Sequence, residues 1–482
     1  MTAPERLLSR GVVTRYAIGS IGTGGFATLP GLVLVYYLTD TLGVTALLAG
    51  LVVTAAKVWD VVVDPWIGER SDRALVRTGT RRTWMTIGAA ALPVGFLLTF
   101  AVPAGLVPEA SAVWVFVAFL ATATAFSVFQ VPYIALPAEL TPDYDARTRL
   151  LTWRVVVLTV AILLFGAGGP EIRAAFPGDE RLGYLVMALV AGVVIGVGML
   201  IAATTAARGM AVSDASATAA PVSEVSATAA PVSEVSATAA PAGHRIGVGY
   251  AEGIAALRRS APFRALLTAF VLQGLATGAM LAGAQFVATW VLGNERLVTA
   301  LFVALIAPAV LCAPAWERVA RRIGKERGFV IASALFAVAA ASLVGMLWAP
   351  GPWVYAPVAL AGAAYAGMQS LPMAMLPDVI SHDAGRHGAG RAGSFGGVWT
   401  AGETAGMALG ATLLTIVLAV TGYAESTGST VVEQPGAAIA GITIAFSLLP
   451  AALVLLSLLP LRRYPLRKGD IDADAAAPAA LR

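Results

Sequence analysis

Lys57, Asp60 and Asp64 stand at spacings of three and four within an apolar stretch, so in a helix all three project from one face. An acid held in hydrocarbon is costly unless it is paired, and such residues mark ion or proton paths by default. Two carboxylates one turn apart concentrate negative potential that a small cation neutralises. A purely structural network, in which Lys57 and Arg154 merely offset the acids, is the plainer alternative. Glu403 is a further deep acid, in the run GVWTAGETAGMALG (397–410). Gln130, Tyr133, Arg154, Trp399, Gln273 and Gln369 also interrupt apolar runs. Amides, aromatic faces and a few charges suit a polyhydroxylated neutral molecule, held by hydrogen bonds and stacking. Packing or lipid contact competes with that role for Tyr133 and Trp399.

Other chemistries lack their residues. The single Cys312 has no partner in the chain, and the histidines are scattered at His244, His382 and His387. His382, Asp383 and His387 share a predicted loop beside arginines, without the further ligands a metal site needs. No GxxxxGK[ST], HExxH or GxSxG pattern occurs, which argues against ATP-driven transport by this chain and against a membrane-embedded enzyme. We expect no cofactor, no metal and no nucleic acid; the expected partners are a small-molecule substrate and the lipid bilayer, with no obligate protein partner evident.

The elements that must carry these residues follow from composition. The 482 residues are 58% hydrophobic and 12% charged, with mean hydropathy +0.80, whereas soluble domains carry about 25% charged residues. That excludes a soluble enzyme. Spanning a bilayer takes about 20 apolar residues per helix. Suitable runs lie at 14–38, 45–66, 84–104, 111–133, 153–171 and 182–206, then at 263–289, 296–315, 328–349, 353–373, 393–421 and 437–460. The spacing predicts twelve transmembrane helices in an all-α membrane protein. Residues 216–225 and 226–235 repeat SATAAPVSEV, a tract too poor in apolar surface to fold. The chain therefore reads as a six-helix bundle over 1–207, a disordered linker over 208–246 and a second bundle over 247–482. Of the 32 basic residues, all but Arg173, Arg181, Arg296, Lys57 and Arg154 fall on the termini and even-numbered loops. The positive-inside rule then puts both termini in the cytoplasm, and the plasma membrane is the expected location.

The segments SDRALVRTGTRR from Ser71 and WERVARRIGKER from Trp316 agree at five positions with one offset: Asp72 with Glu317, Arg73 with Arg318, Arg77 with Arg322, Gly79 with Gly324, Arg82 with Arg327. LPAELTPD from Leu136 is echoed by LPDVISHD from Leu376, which includes Asp378. Such agreement at matching places points to two repeated halves, and to gating by charged loops that meet across them. Glu139, Asp143 and Arg147, where the fourth span leaves the membrane, read as part of that gate. Topology-setting or solvated loop charge is the alternative.

Two six-helix halves with an acid-Arg-xxx-Arg-x-Gly segment after the second helix of each resemble the major facilitator superfamily. YYLTD (36–40), KVWDVVVDPWIGERSDR (57–73), VPYIALPAELTPDYDARTRL (131–150) and MLPDVISHD (375–383) are similar to its glycoside-pentoside-hexuronide:cation symporter family, the group of the melibiose permease. The resemblance implies cation-coupled symport of a sugar or glycoside, with the coupling site at Asp60, Asp64 and Ser127 beside Lys57. Val63 replaces an asparagine of that site, which removes an oxygen sodium would use, so the cation is H+ or Na+. Sugar-binding acids of the permease match Gly24 and Gln130, and its helix-11 lysine matches Thr404, which puts an α-galactoside in doubt. The alternative is a proton-linked exporter or carrier of amphipathic molecules of drug or lysolipid type.

One expectation needs only the sequence. The repeats contain Pro221 and Pro231 and no apolar period, so excising 216–235 should leave uptake rates nearly unchanged at equal surface expression. A tenfold fall in initial rate would make the tract a regulatory or docking element.

Overall fold

The computed structural model describes residues 9–141, 144–206, 257–387, 392–427 and 432–466, apart from the side chains of 138, 144–148, 384–387 and 392–394. The linker expected at 208–246 lies outside the described residues. Twelve long helices account for nearly all of the described chain. In the first half these are α1 (Arg10–Thr41), α2 (Ala46–Thr78), α3 (Arg82–Phe100), α4 (Pro108–Leu140), α5 (Tyr144–Ala174) and α6 (Glu180–Ala203). In the second they are α7 (Ala261–Val291), α8 (Leu297–Ile323), α9 (Lys325–Leu347), α10 (Tyr355–His387), α11 (Ala392–Val420) and α12 (Gly436–Leu461). Among the described residues, eleven helices are long and apolar enough to cross a bilayer. The exception is α10, which has the length but carries Tyr365, Gln369, Ser370 and Pro372 at its middle. It packs against α8 and α9.

Several elements extend further than the apolar runs indicate. Helix α2 continues to Thr78 and α8 to Ile323. Asp72, Arg73 and Arg77, and likewise Glu317, Arg318 and Arg322, are therefore helical, where the sequence reading placed them in loops. His382 and Asp383 also lie in helix α10 rather than in a loop. Each extended helix stops at a glycine with positive φ, Gly79 at 69° and Gly324 at 95°, where a side chain would strain the backbone.

The two halves repeat in detail. Within the first, α1 packs on α5, α2 on α4, and α3 on α4 and α6; the second matches these pairs with α7 on α11, α8 on α10, and α9 on α10 and α12. Helices α1 and α7 both finish in a five-residue π-helical turn, Tyr37–Thr41 and Val287–Val291. Such turns are rare and concentrate at functional sites. Between the bundles, α2 packs on α11, α5 on α8 and α1 on α7.

Lipid offers no hydrophobic drive for helices to associate, so close backbone approach through small residues does much of that work. Gly278 on α7 lies against the backbone of Met407 on α11, and a Cβ there would collide with main-chain atoms. Gly396 on α11 has open space at its Cβ position. We expect Gly278→Ala to destabilise the protein by about 1–3 kcal/mol, and Gly396→Ala to be neutral or slightly stabilising. Thermal unfolding in detergent reads both; equal midpoints would refute this packing argument.

Candidate functional site

The helix-2 acids are assembled by packing against α1 and α4. Lys57 Nζ lies 3.2 Å from Asp60 Oδ2 and 5.5 Å above the ring of Phe26 on α1. Ser127 on α4 is buried and sits beside Asp64 as a hydrogen-bonding neighbour. Asp60 Oδ1 and Asp64 Oδ1 are both buried without a hydrogen-bond partner. All four expected coupling residues are thus brought together.

The expected substrate residues divide. Tyr133 is fully buried: its hydroxyl donates to Tyr16 O at 2.8 Å and lies 3.0 Å from Ser20 Oγ. Its ring stacks on those of Tyr16 and Phe129. Gln130 accepts from Thr23 Oγ1 at 2.8 Å. Both therefore hold α4 to α1. The buried Arg154 guanidinium lies 5.3 Å from the Tyr133 ring centroid. Gly24 faces α5, where a Cβ would press on Ala161 and the Leu158 carbonyl. An acid at position 24 has no room, and the glycine does not enlarge the cavity.

In the second bundle a pocket is lined by Phe270, Gln273, Thr277, Tyr365, Gln369, Glu403 and the methionines Met368 and Met407. Gln273, Gln369 and Glu403, picked out separately in the sequence, meet here. Gln369 Nε2 donates to Tyr365 Oη at 2.6 Å. Thr404 does not line the pocket, and Trp399 is buried behind it, stacked on Phe270 at 4.3 Å between ring centroids. Trp399 is therefore a packing residue, although its indole N–H has no hydrogen-bond partner.

Helices α2 and α11 cross where Thr54 Oγ1 donates to the Ala408 carbonyl and meets Thr412. From that crossing, Asp60 is six residues on along α2 and Glu403 five residues back along α11. At 1.5 Å per residue these offsets are about 9 Å and about 7.5 Å. Both run toward the side of the chain termini, so the acid pair and the pocket lie at similar depth.

The opposite side is closed by contacts the sequence reading did not assign. Asp40, 3% exposed, accepts from Thr39 at 2.6 Å on its own helix, and from Tyr423 at 2.6 Å and Trp290 at 3.3 Å on the other bundle. The buried Arg173 of α5 pairs with Glu295 across the bundles at 2.9 Å. YYLTD drew attention as a family likeness, and the pattern that would have singled out Asp40 was an acid at the very end of an apolar run.

On the terminal side, the described charges do not meet across the halves in this conformation. Among the described residues, every ion pair there stays within one bundle. Arg81 binds Asp72 and Glu139, Arg73 binds Glu69, Arg321 binds Glu317, Lys325 binds Asp378, and Arg259 binds Asp383. Burial pushes the Glu139 carboxyl above its usual range, against the pull of Arg81. Arg77, Arg318 and Arg322 are exposed. Asp143, and the side chain of Arg147, lie outside the described residues.

The family described as MFS/sugar transport protein matches residues 15–228 and 222–468, two segments that meet in the SATAAPVSEV tract. The chain is 32% identical over 168 residues to an uncharacterized symporter of Synechocystis sp., covering 32% of this chain and 31% of that protein. It is 28% identical over 170 residues to the putative glycoside/cation symporter YagG of Escherichia coli, covering 35% and 37%. The matched stretches thus span about a third of these curated relatives. In fold it resembles a D-xylose-proton symporter, with TM-score 0.64 and 13% identity over 95% of this chain and 98% of that one.

Removing one donor from a buried carboxylate costs about 1–3 kcal/mol. Tyr423→Phe should therefore loosen the closed side. In a background lacking Cys312, labelling of Thr277→Cys by an impermeant reagent applied opposite the termini should rise several-fold. Unchanged labelling would remove Asp40 from the closure.

Proposed function

The chain belongs to the MFS/sugar transport protein family, and from that premise we propose that it is a cation-coupled secondary transporter moving a sugar or glycoside by alternating access. The observation that carries this reading is the acid pair on α2. Asp60 and Asp64 each keep a buried oxygen without a hydrogen-bond partner, and among the ion pairs of the described residues Lys57 is the cation that meets them, at Asp60. Two negative charges against one positive at membrane depth call for a further cation. With Val63 beside them and Ser127 adding a hydroxyl, a proton needs fewer ligands here than sodium does. The similarity to a putative glycoside/cation symporter supports the substrate class.

On this reading both termini are cytoplasmic, the protein sits in the plasma membrane, and the conformation described is the one open to the cytoplasm. Residues 208–246 tether two bundles, 1–207 and 247–482. Closing the cytoplasmic side would trade the partners within each bundle for partners across the bundles at Asp72, Arg73, Arg77, Glu139, Asp143, Arg147, Glu317, Arg318, Arg322 and Asp378. A carrier of amphipathic molecules is the second reading, favoured by Phe270, Met368 and Met407 in the pocket wall.

We expect Asp60→Asn and Asp64→Asn each to abolish uphill accumulation in vesicles while substrate exchange survives, since exchange requires no net cation cycle. Driving uptake with a proton or a sodium gradient in turn identifies the cation. Full accumulation by both variants would refute the coupling site.

A further inference from the structure

Helix α2 carries a second feature, on a face other than that of its acids. Val58, Val62, Trp66 and Arg70 follow one another at intervals of four, so they form one stripe along the helix. All four are exposed, whereas Asp60, Ile67 and Ser71 are buried on another face. The stripe is apolar as far as Trp66 and turns to charge at Arg70. Counted from Leu47, the first exposed leucine of α2, Trp66 comes about 28 Å along the helix and Arg70 about 34 Å. A hydrocarbon core is about 30 Å thick. Trp66 therefore sits at the edge of the core on the side of the termini, the level at which tryptophan gathers, and Arg70 reaches the headgroup layer just beyond it.

The Arg70 guanidinium carbon lies 3.9 Å from the centroid of the Trp66 ring. Among the described residues that guanidinium meets no carboxylate and no hydrogen-bond acceptor, whereas the next arginine, Arg73, is held by Glu69. Stacking on the indole restricts the arginine side chain while leaving its N–H edge free, and that planar edge matches a phosphate with two parallel hydrogen bonds. At the repeat offset that pairs Asp72 with Glu317, the positions matching Trp66 and Arg70 are Leu311 and Ala315 on α8. Both are exposed and neither can hold an anion. The pair is thus a property of the first half and not of the repeat.

We propose that Trp66 and Arg70 form a site for the phosphate of an anionic phospholipid in the leaflet on the side of the termini, with its acyl chains along Val62 and Val58. The inference needs only that the helices span a bilayer, and it stands apart from the identity of the substrate and the coupling cation. A zwitterionic headgroup brings a cation of its own close to Arg70, so an anionic one is favoured.

The test titrates purified full-length protein in detergent with phosphatidylglycerol or with phosphatidylcholine and follows the first one-to-one adduct by native mass spectrometry. We expect phosphatidylglycerol to bind several-fold more tightly than phosphatidylcholine, and Arg70→Gln to weaken its binding about fivefold. Arg70→Lys keeps the charge without the planar fork or its stacking, and should lose most of the same affinity. Arg462→Gln removes an exposed charge at the terminal-side end of α12 and should change binding less than about twofold. Unfolding midpoints in lipid-free detergent separate loss of the site from loss of the fold; Arg70 is exposed, so they should not move. Full retention in Arg70→Lys, or an equal loss in Arg462→Gln, would reduce the attraction to diffuse charge and overturn the site. Equal binding of the two lipids would overturn it as well. Displacement of phosphatidylglycerol by millimolar inorganic phosphate would make this a site for a free anion and overturn the lipid assignment.

Discussion

A carboxylate removed from water has to be met by donors, and Asp40 draws two of its three from the opposite bundle. Tyr423 and Trp290 reach it across the interface, Thr39 from its own helix, and Ser426 adds a hydrogen bond to the Asp40 carbonyl. As long as Asp40 is buried, the bundles stay together at that end; if they part, water has to replace the lost donors. The closed side is therefore either dry and paired or wet and open. Asp40 and Trp290 are each the fourth residue of their π-helical turn, so the repeat places equivalent positions of the two halves opposite one another, one as acceptor and one as donor.

The remaining contacts between bundles are consistent with that closure. Arg173 meets Glu295, Thr299 of α8 donates to the Ala167 carbonyl of α5, and the Glu425 carboxylate accepts from the Ala46 backbone amide. Toward the termini the charged residues pair inside their own bundle. In each half a basic residue just after the positive-φ glycine holds an acid near the end of the half's fourth helix: Arg81 holds Glu139, and Lys325 holds Asp378. Braced internally in this way, each bundle can move against the other as a unit.

The apolar runs made all twelve helices legible, because hydrocarbon thickness dictates their length. The acid spacing on α2 was legible for a related reason, since few residues except functional ones survive the cost of charge at that depth. Gate contacts were not, because sequence gives which charges exist and not which of several conformations they pair in. For Tyr133 and Trp399 the choice between substrate contact and packing was open in the sequence, because the rotation of each helix turns them into a packed seam and only the neighbouring helix decides that. Asp40 and Arg173 escaped because they sit at the ends of apolar runs, where charge is ordinarily wet. Gln273 was singled out as polar, but its unpartnered acceptor depends on Ser333 and Ser457, which are 60 and 184 residues away.

The two chemistries are divided between the halves. The acid pair belongs to the first bundle and the pocket of Gln273, Gln369 and Glu403 to the second, and both lie just beyond the crossing of α2 and α11. Neither site alone has reason to favour movement of the bundles, because each is held by helices of its own half. On the proposed reading a cation on Asp60 and Asp64 removes charge from one wall of the cleft, and a ligand donor meets the unpartnered Gln273 oxygen on the other. The cleft can then close over the acids without burying uncompensated charge. Coupling, on the proposed reading, then requires no contact between cation and ligand, since what the closed state cannot tolerate is a desolvated acid pair that is still charged or a buried Gln273 oxygen still without a donor.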